Sequence, residues 1–243
     1  MKESLYDRTE VFHRPEGTSN ALVFIHGGAW IDKNNTANDF KELSDLMIET
    51  GTVDYVLASI DYRLSPEVQH PVHLQDVVEN LYRMIQELKL TSIQLLGHSV
   101  GATLAWQVSV SDENLFPSPD KLQLVKSKLV GVFLVDGIYS LTELLDEYPS
   151  YDYFVSQAYK DFSRDFEEFD RSINRIPSNL KTIHLLHSYR DELLTLRQTN
   201  YMSSLLQKAA IPFSLCFNDM GSHEEVYRNA KLANYLLSNV VFT

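Results

Sequence analysis

Gly97-His98-Ser99-Val100-Gly101 stands between an apolar run, Ser92-Ile93-Gln94-Leu95-Leu96, and a stretch of helical period from Ala102 to Val110. A Gly-x-Ser-x-Gly in that setting reverses the chain so tightly that only small residues fit beside the serine, whose hydroxyl is then held at the strand's carboxyl end. A serine hydroxyl is a poor nucleophile until a base takes its proton. The arrangement therefore calls for a histidine, and for a carboxylate that fixes the histidine's tautomer. The chemistry within reach is acyl transfer through a covalent serine intermediate. A plain glycine loop is the alternative reading of the same five residues.

Eight histidines are available. His13, His26, His70 and His73 precede Ser99, His98 is adjacent to it and is expected to point elsewhere, and His184 and His187 flank a strand near the expected acid. His223 remains, after the run Phe213–Phe217 and before the last helical stretch, where it serves either as the base or as a mere neighbour of a helix cap. The order serine, acid, histidine restricts the carboxylate to positions between 99 and 223. Asp191 ranks first, at the end of the strand Thr182–Leu186 after the turn His187-Ser188-Tyr189-Arg190. Asp219, in the same loop as His223, and Asp136, after the run Leu129–Val135, are its competitors. A tetrahedral oxyanion needs two preorganised donors. The N–H of Val100 supplies one, and His26-Gly27-Gly28-Ala29-Trp30, after the strand Ala21–Ile25, offers Gly27 and Gly28 for the other. Of nine glycines, Gly27, Gly28, Gly97, Gly101 and Gly221 fall in these three loops. Trp30 is either core packing or a wall of the pocket.

The elements that must position these residues alternate along the chain. Strands are expected at Ala21–Ile25, Tyr55–Ile60, Ser92–Leu96, Leu129–Val135, Thr182–Leu186 and Phe213–Phe217. Helices are expected at Asp39–Glu49, Val72–Leu88, Ala102–Val110, Glu192–Lys208 and His223–Leu237. Apolar strands alternating with helices indicate an α/β fold with a mostly parallel central sheet and helices on both faces. One stretch breaks the rhythm: Glu143 to Arg171 carries nine acidic and three basic residues and eight aromatics, Tyr148, Tyr151, Tyr153, Phe154, Tyr159, Phe162, Phe166 and Phe169. It reads either as amphipathic surface helices or as a lid, an insertion at about 140–175 whose aromatics roof a pocket.

The chain has 243 residues, 44% of them hydrophobic, and a net charge of −12. One domain spanning 1–243 is expected, since an α/β sheet can absorb this length in one core. The apolar runs are too short to cross a bilayer, and the charged first residues contain no apolar leader segment, so neither a membrane role nor a secretory signal is expected. The single cysteine, Cys216, excludes an intrachain disulfide and a Cys-rich metal site, in keeping with a reducing, cytoplasmic setting. The acidic balance argues against nucleic acid as a partner. A small-molecule substrate is expected, and a homodimer is compatible with the sequence.

His26-Gly27-Gly28-Ala29-Trp30, Asp61-Tyr62-Arg63-Leu64-Ser65-Pro66-Glu67, Gly97-His98-Ser99-Val100-Gly101 and the placement of Asp191 and His223 together resemble the α/β-hydrolase superfamily in its esterase/lipase branch. The form His-Gly-Gly-x-Trp is similar to that of the kynurenine formamidases (arylformamidases). The resemblance runs from Leu22 to Leu237. It implies an α/β-hydrolase fold and a serine hydrolase that cleaves N-formyl-L-kynurenine to L-kynurenine and formate, in tryptophan degradation and NAD biosynthesis, without a metal or other cofactor. A carboxylesterase acting on short acyl esters is the alternative within the class, and a non-catalytic binding scaffold the alternative outside it. Two departures stand out. Asp136-Gly137-Ile138-Tyr139 replaces the Ser-Gly-Xaa-Tyr often found in relatives and alters the pocket wall, to which Trp30 and Tyr139 are expected to contribute. Ser188 stands where glycine is common. The Asp61–Glu67 segment is expected to be scaffolding, with Arg63 paired to Glu67 or Asp76 and Ser65-Pro66 ending a strand.

Overall fold

The computed structural model describes residues 9–166 and 172–242, so Phe169 and the charges at 167–171 lie outside the described residues. The strands are β1 (Thr9–His13), β2 (Asn20–Ile25), β3 (Val56–Ile60), β4 (Ser92–His98), β5 (Leu129–Val135), β6 (Thr182–Ser188) and β7 (Ser214–Asn218). The α-helices are α1 (Lys41–Thr50), α2 (Val72–Leu88), α3 (Val100–Val110), α4 (Pro119–Lys128), α5 (Leu141–Glu147), α6 (Asp152–Ala158), α7 (Phe162–Asp165), α8 (Leu196–Lys208) and α9 (Ala230–Asn239).

All seven strands join one sheet in the order β1-β3-β2-β4-β5-β6-β7. Every neighbouring pair is parallel except β1, which runs antiparallel to β3 at the edge. Alternation along β2 sets the two layers: Ala21, Val23 and Ile25 pack with α2, α3, α4 and α8, whereas Leu22 and Phe24 pack with α1 and α9. All of α3 is buried, as expected of a helix that is apolar nearly all round. The segment holding α5 and α6 lies on the first of these layers, where Leu141, Leu144, Phe154, Val155, Ala158 and Tyr159 join the core.

The strand order reverses at β2, whose chain continues to β3 on one side while β4 returns on the other. The carboxyl ends of parallel strands at such a switch point leave a crevice that no crossover covers. The loop carrying Gly27 and Gly28 leaves β2, and Ser99 leaves β4 beside it, with Ile25 paired to Gly97. Asp136 follows β5, Asp191 follows β6 and His223 follows β7, each at the same rim.

The helix α2 and strand β5 have the bounds expected from the sequence. Elsewhere local hydrogen bonding moved the ends. The helix expected from Glu192 starts at Leu196, because Asp191 Oδ1 accepts the N–H groups of Leu193 and Leu194 and Thr195 caps the helix. The helix expected over His223–Leu237 is broken: His223–Arg228 is a 3-10 turn, and Asn229 caps α9. The strand expected to end at Ser65-Pro66 closes already at Ile60. Strand β1, half-exposed and with its only apolar pair at Val11-Phe12, has little periodicity of its own and is held by its pairing with β3.

Candidate active site

Ser99 sits at φ 54° and ψ −124°, a conformation that L residues adopt only under constraint. Its two glycines supply the constraint. A Cβ on Gly97 would lie 2.1 Å from the Gly101 carbonyl oxygen, and one on Gly101 would lie 2.1 Å from that of Ile25. Strand, turn and helix can approach this closely only because both positions lack a side chain. The Ser99 N–H donates to the Val135 carbonyl at 2.9 Å, which ties the turn to β5. Val100 is the first residue of α3, so its N–H has no partner within the helix and remains an available donor at the positive end of the dipole.

The loop after β2 lies against this turn. A Cβ on Gly27 would come 3.0 Å from Ser99 Cβ. Gly28, Ala29 and Trp30 follow at φ 92°, 49° and 61°, a run that turns the chain away from the sheet. Tyr62 fixes the loop from below: its hydroxyl donates to the carbonyls of Gly27 at 2.9 Å and His26 at 3.1 Å, and its ring stacks on His26. The Asp61–Glu67 segment therefore is scaffolding. Arg63 forks onto Asp76 with contacts of 2.9 and 3.0 Å, while Glu67 faces Lys33. Trp30 is fully buried, with its ring centroid 5.4 Å from Tyr159 and 6.2 Å from Phe154 of α6. It thus joins the loop after β2 to the aromatic segment.

In the loops that follow β6 and β7, His223 Nδ1 lies 2.7 Å from Asp191 Oδ2, both side chains being almost wholly buried. The backbone N–H of His223 donates to Glu192 Oε2 at 3.0 Å. Burial pulls the His223 imidazole down, but the hydrogen bond and charge of Asp191 outweigh it and leave its pKa above the usual histidine value. Of the three candidate acids, Asp191 is the one hydrogen-bonded to His223. Asp219 accepts from the Gly221 N–H in its own turn, and Asp136 lies buried beneath the pair.

The contacts made by Ser188, Glu192 and His98 were not legible in the sequence, and Asp136, a candidate acid there, has a different partner. Ser188, in the glycine-like position, donates its hydroxyl to the Gly221 carbonyl and accepts from the Met220 N–H at 3.2 Å, so it staples the acid loop to the histidine loop. Glu192 was hidden beside the more obvious Asp191. His98 does not turn away from the chemistry: its ring centroid lies 4.5 Å from that of His223, and burial, followed by the His223 charge, holds its pKa well below the usual value. Asp136 accepts from the Ser188 N–H at 2.9 Å. Tyr139 is buried with its ring folded back over Gly137, where a Cβ would come 2.4 Å from its hydroxyl. Burial, and then the Asp136 charge, push that phenol up.

Metal-type donors converge twice among the described residues, as His98–Asp136–His223 and as Asp136–His187–Asp191, each set within 4.8 Å. Both are built from the residues around the imidazole–carboxylate pair. His223 Nδ1 and Asp191 Oδ2 already engage each other, and Asp136 Oδ1 is engaged by Ser188. Asp136 Oδ2, shared by both sets, has no hydrogen-bond partner among the described residues.

The BD-FAE family model matches residues 11–206. The chain is 49% identical to the kynurenine formamidase of Eremothecium gossypii, over 97% of this chain and 98% of that one. It is 41% identical to the kynurenine formamidase of Saccharomyces cerevisiae, over 98% and 95%. Among solved structures it resembles esterase B of Lactobacillus rhamnosis, with a TM-score of 0.71 at 14% identity over 95% of this chain and 82% of that one. A hyperthermophilic esterase of Pyrobaculum calidifontis gives 0.65 at 16% identity over 96% and 86%. The structural likenesses establish the α/β-hydrolase fold, and the sequence relationships go further: the chain belongs to the BD-FAE family of α/β-hydrolases and, within it, to the kynurenine formamidases.

Proposed function

We propose that the protein hydrolyses N-formyl-L-kynurenine to L-kynurenine and formate, with Ser99 as nucleophile, His223 as general base and acid, and Asp191 as the carboxylate that holds His223. The observation that carries the reading is the 2.7 Å contact between His223 Nδ1 and Asp191, at the rim that holds a strained serine in a chain of this family. Nδ1–H donates to Asp191, which leaves Nε2 unprotonated to accept the Ser99 proton. Ser99 Oγ then bonds to the formyl carbon, and the carbonyl oxygen gains charge that the N–H groups of Val100, Gly27 and Gly28 are assigned to stabilise. The imidazolium returns its proton to the anilinic nitrogen as the C–N bond breaks. Water, deprotonated by His223, releases formate from the formyl-serine. The imidazole supplies the activation, so the cycle requires no metal or organic cofactor.

The expected lid at about 140–175 enters this reading as the aryl side of the pocket. From Trp30 the aromatic contacts run through Phe154 to Tyr151 and Tyr148, at centroid separations of 6.2, 5.3 and 4.9 Å. Tyr151 also donates to the Leu193 carbonyl, two residues past Asp191. We assign the aromatic series to the aniline ring; Trp30 and Tyr139, expected from the sequence at the pocket wall, are buried in the core. No helix among the described residues is long and apolar enough to cross a membrane, and cytoplasmic action on a small molecule is part of the proposal.

The test is the ratio of specificity constants for N-formyl-L-kynurenine and p-nitrophenyl acetate on purified protein. A clear preference for the formamide is expected. Absence of formamide turnover by protein that labels with a fluorophosphonate would replace the formamidase with an esterase, and absence of both would leave a binding scaffold.

A further inference from the structure

Asp136 lies where the sheet brings nucleophile and acid together. It follows β5, the strand between the one that ends at Ser99 and the one that leads to Asp191. The residue before it accepts the Ser99 N–H through its carbonyl, and its own N–H donates to Leu186. Its backbone is left-handed at φ 44° although it is not glycine, so the surrounding packing keeps it in a strained conformation. The side chain is completely buried. Oδ1 accepts the Ser188 N–H at 2.9 Å and lies 3.2 Å from His187 Nδ1. Oδ2 is buried with no hydrogen-bond partner among the described residues, an arrangement that is costly unless the group has a use.

That use is suggested by what surrounds it. Donor atoms of Asp136 and His223 lie within 4.8 Å of each other, as do those of Asp136 and Asp191. Two carboxyl groups therefore flank one imidazole. Building on the Ser99–His223 reading, we propose that Asp136 is a second acid of the relay, a positioning residue whose carboxyl holds the His223 imidazole when Asp191 is lost.

The two carboxyls are not equivalent. Asp191 is anchored by the N–H groups of Leu193 and Leu194 as well as by His223. Burial first, and then the Asp191 charge, push the Asp136 carboxyl up to about 8. The groups that face it are Asp191, Glu192 and His223, with His187, His98 and Tyr139 beside it. With its carboxyl pushed up this far, Asp136 keeps its proton near neutrality, as expected of a buried acid close to a second carboxyl group. Removing Asp191 removes one cause of that retention and frees Asp136 to ionise against the imidazole.

The test is a double-mutant cycle on the full chain, read as kcat/KM for the substrate the enzyme turns over. Asp191→Ala is preferred to Asp191→Asn, whose amide could donate to Nδ1 and lock the wrong tautomer. It is expected to keep at least about tenfold more activity than His223→Ala. Asp136→Asn should cost at least about tenfold more in the Asp191→Ala background than in the parent. Beyond the limb set by His223, the activity remaining in Asp191→Ala should climb further with pH as Asp136 ionises, and this further climb should be absent in the double variant. A purely structural Asp136 would not produce that loss. Asp191 also caps a turn, so Asp191→Ser, which keeps an acceptor for the two amides, and fluorophosphonate labelling rates provide a second measurement. The proposal is overturned if Asp191→Ala and Asp191→Ser fall as far as His223→Ala, or if Asp136→Asn costs the same factor in both backgrounds. Full activity of His223→Ala would instead overturn the underlying serine–histidine reading.

Discussion

Replacing Gly27 with alanine tests the geometry of the oxyanion side most directly. Gly27 is not among the residues with positive φ, so alanine is admissible for the backbone and the effect must come from the added methyl. That methyl would lie 3.0 Å from Ser99 Cβ, 3.2 Å from His98 Nδ1 and 3.3 Å from the His98 carbonyl oxygen. Carbon atoms settle at about 3.5–4.0 Å, so a gap of roughly half an ångström to one ångström must open. Neither side gives easily. Ser99 is held in its elbow by the close approach of Gly97 and Gly101, and the Gly27 carbonyl is tied to the Tyr62 hydroxyl at 2.9 Å. Overpacking of this kind costs about 1–3 kcal/mol, which leaves a folded protein. Displacing the serine or losing an oxyanion donor costs about 10²–10³ in turnover. Gly27→Ala is therefore expected to melt only a few degrees below the parent while kcat on N-formyl-L-kynurenine falls by about 10²–10³ and KM moves little. Gly28→Ala is the contrast. Its φ of 92° and a methyl 2.9 Å from Asn35 Oδ1 place the strain away from Ser99, so stability should suffer more and turnover less. Parent-like kcat in a folded Gly27→Ala protein would refute the placement of this loop against the nucleophile.

Ser99→Ala and His223→Ala should each lower kcat by about 10⁶, the scale for residues that act as one unit, with little change in melting for Ser99→Ala and a lower melting temperature for His223→Ala, which removes the buried contact with Asp191. The kcat/KM profile should lose activity as pH falls through the His223 pKa, which lies above the usual histidine value; Asp191→Ala should move that limb to lower pH, measured on the residual rate. For stability the sign is the opposite. The His223–Asp191 contact contributes fully below the unfolded histidine pKa of about 6.5 and is lost as pH rises through the raised folded value. Asp136, raised to about 8, likewise favours the fold while protonated and opposes it as pH climbs from the unfolded carboxyl value through about 8. Asp136→Asn should therefore raise the melting temperature more at pH 9 than at pH 5, and equal shifts would contradict the buried-acid assignment. Arg63→Met leaves the buried Asp76 carboxylate without its fork and should cost about 3 kcal/mol in chemical denaturation.

The sequence by itself determined the pieces and their order. Apolar runs of strand length alternating with helical periods specify a parallel sheet covered on both faces, because only strands buried on both sides lose their polar alternation. Small residues around Ser99 and paired glycines at 27 and 28 were legible because steric demands at tight turns admit almost no other types. The sequence ranked Asp191 ahead of Asp136 and Asp219 from its place after a strand, but all three sit near strand ends and local pattern does not show where each side chain reaches. In the folded chain the Leu193 and Leu194 amides anchor the Asp191 carboxylate beside His223, while Asp136, at the end of β5, is fully buried. The Ser188 staple, the Tyr62 tether and the contact of His98 with His223 all join residues far apart along the chain or set by side-chain direction. Periodicity reports which face of an element is buried; what meets what at the rim depends on strand order and on hydrogen bonds between loops, which only the folded sheet brings together.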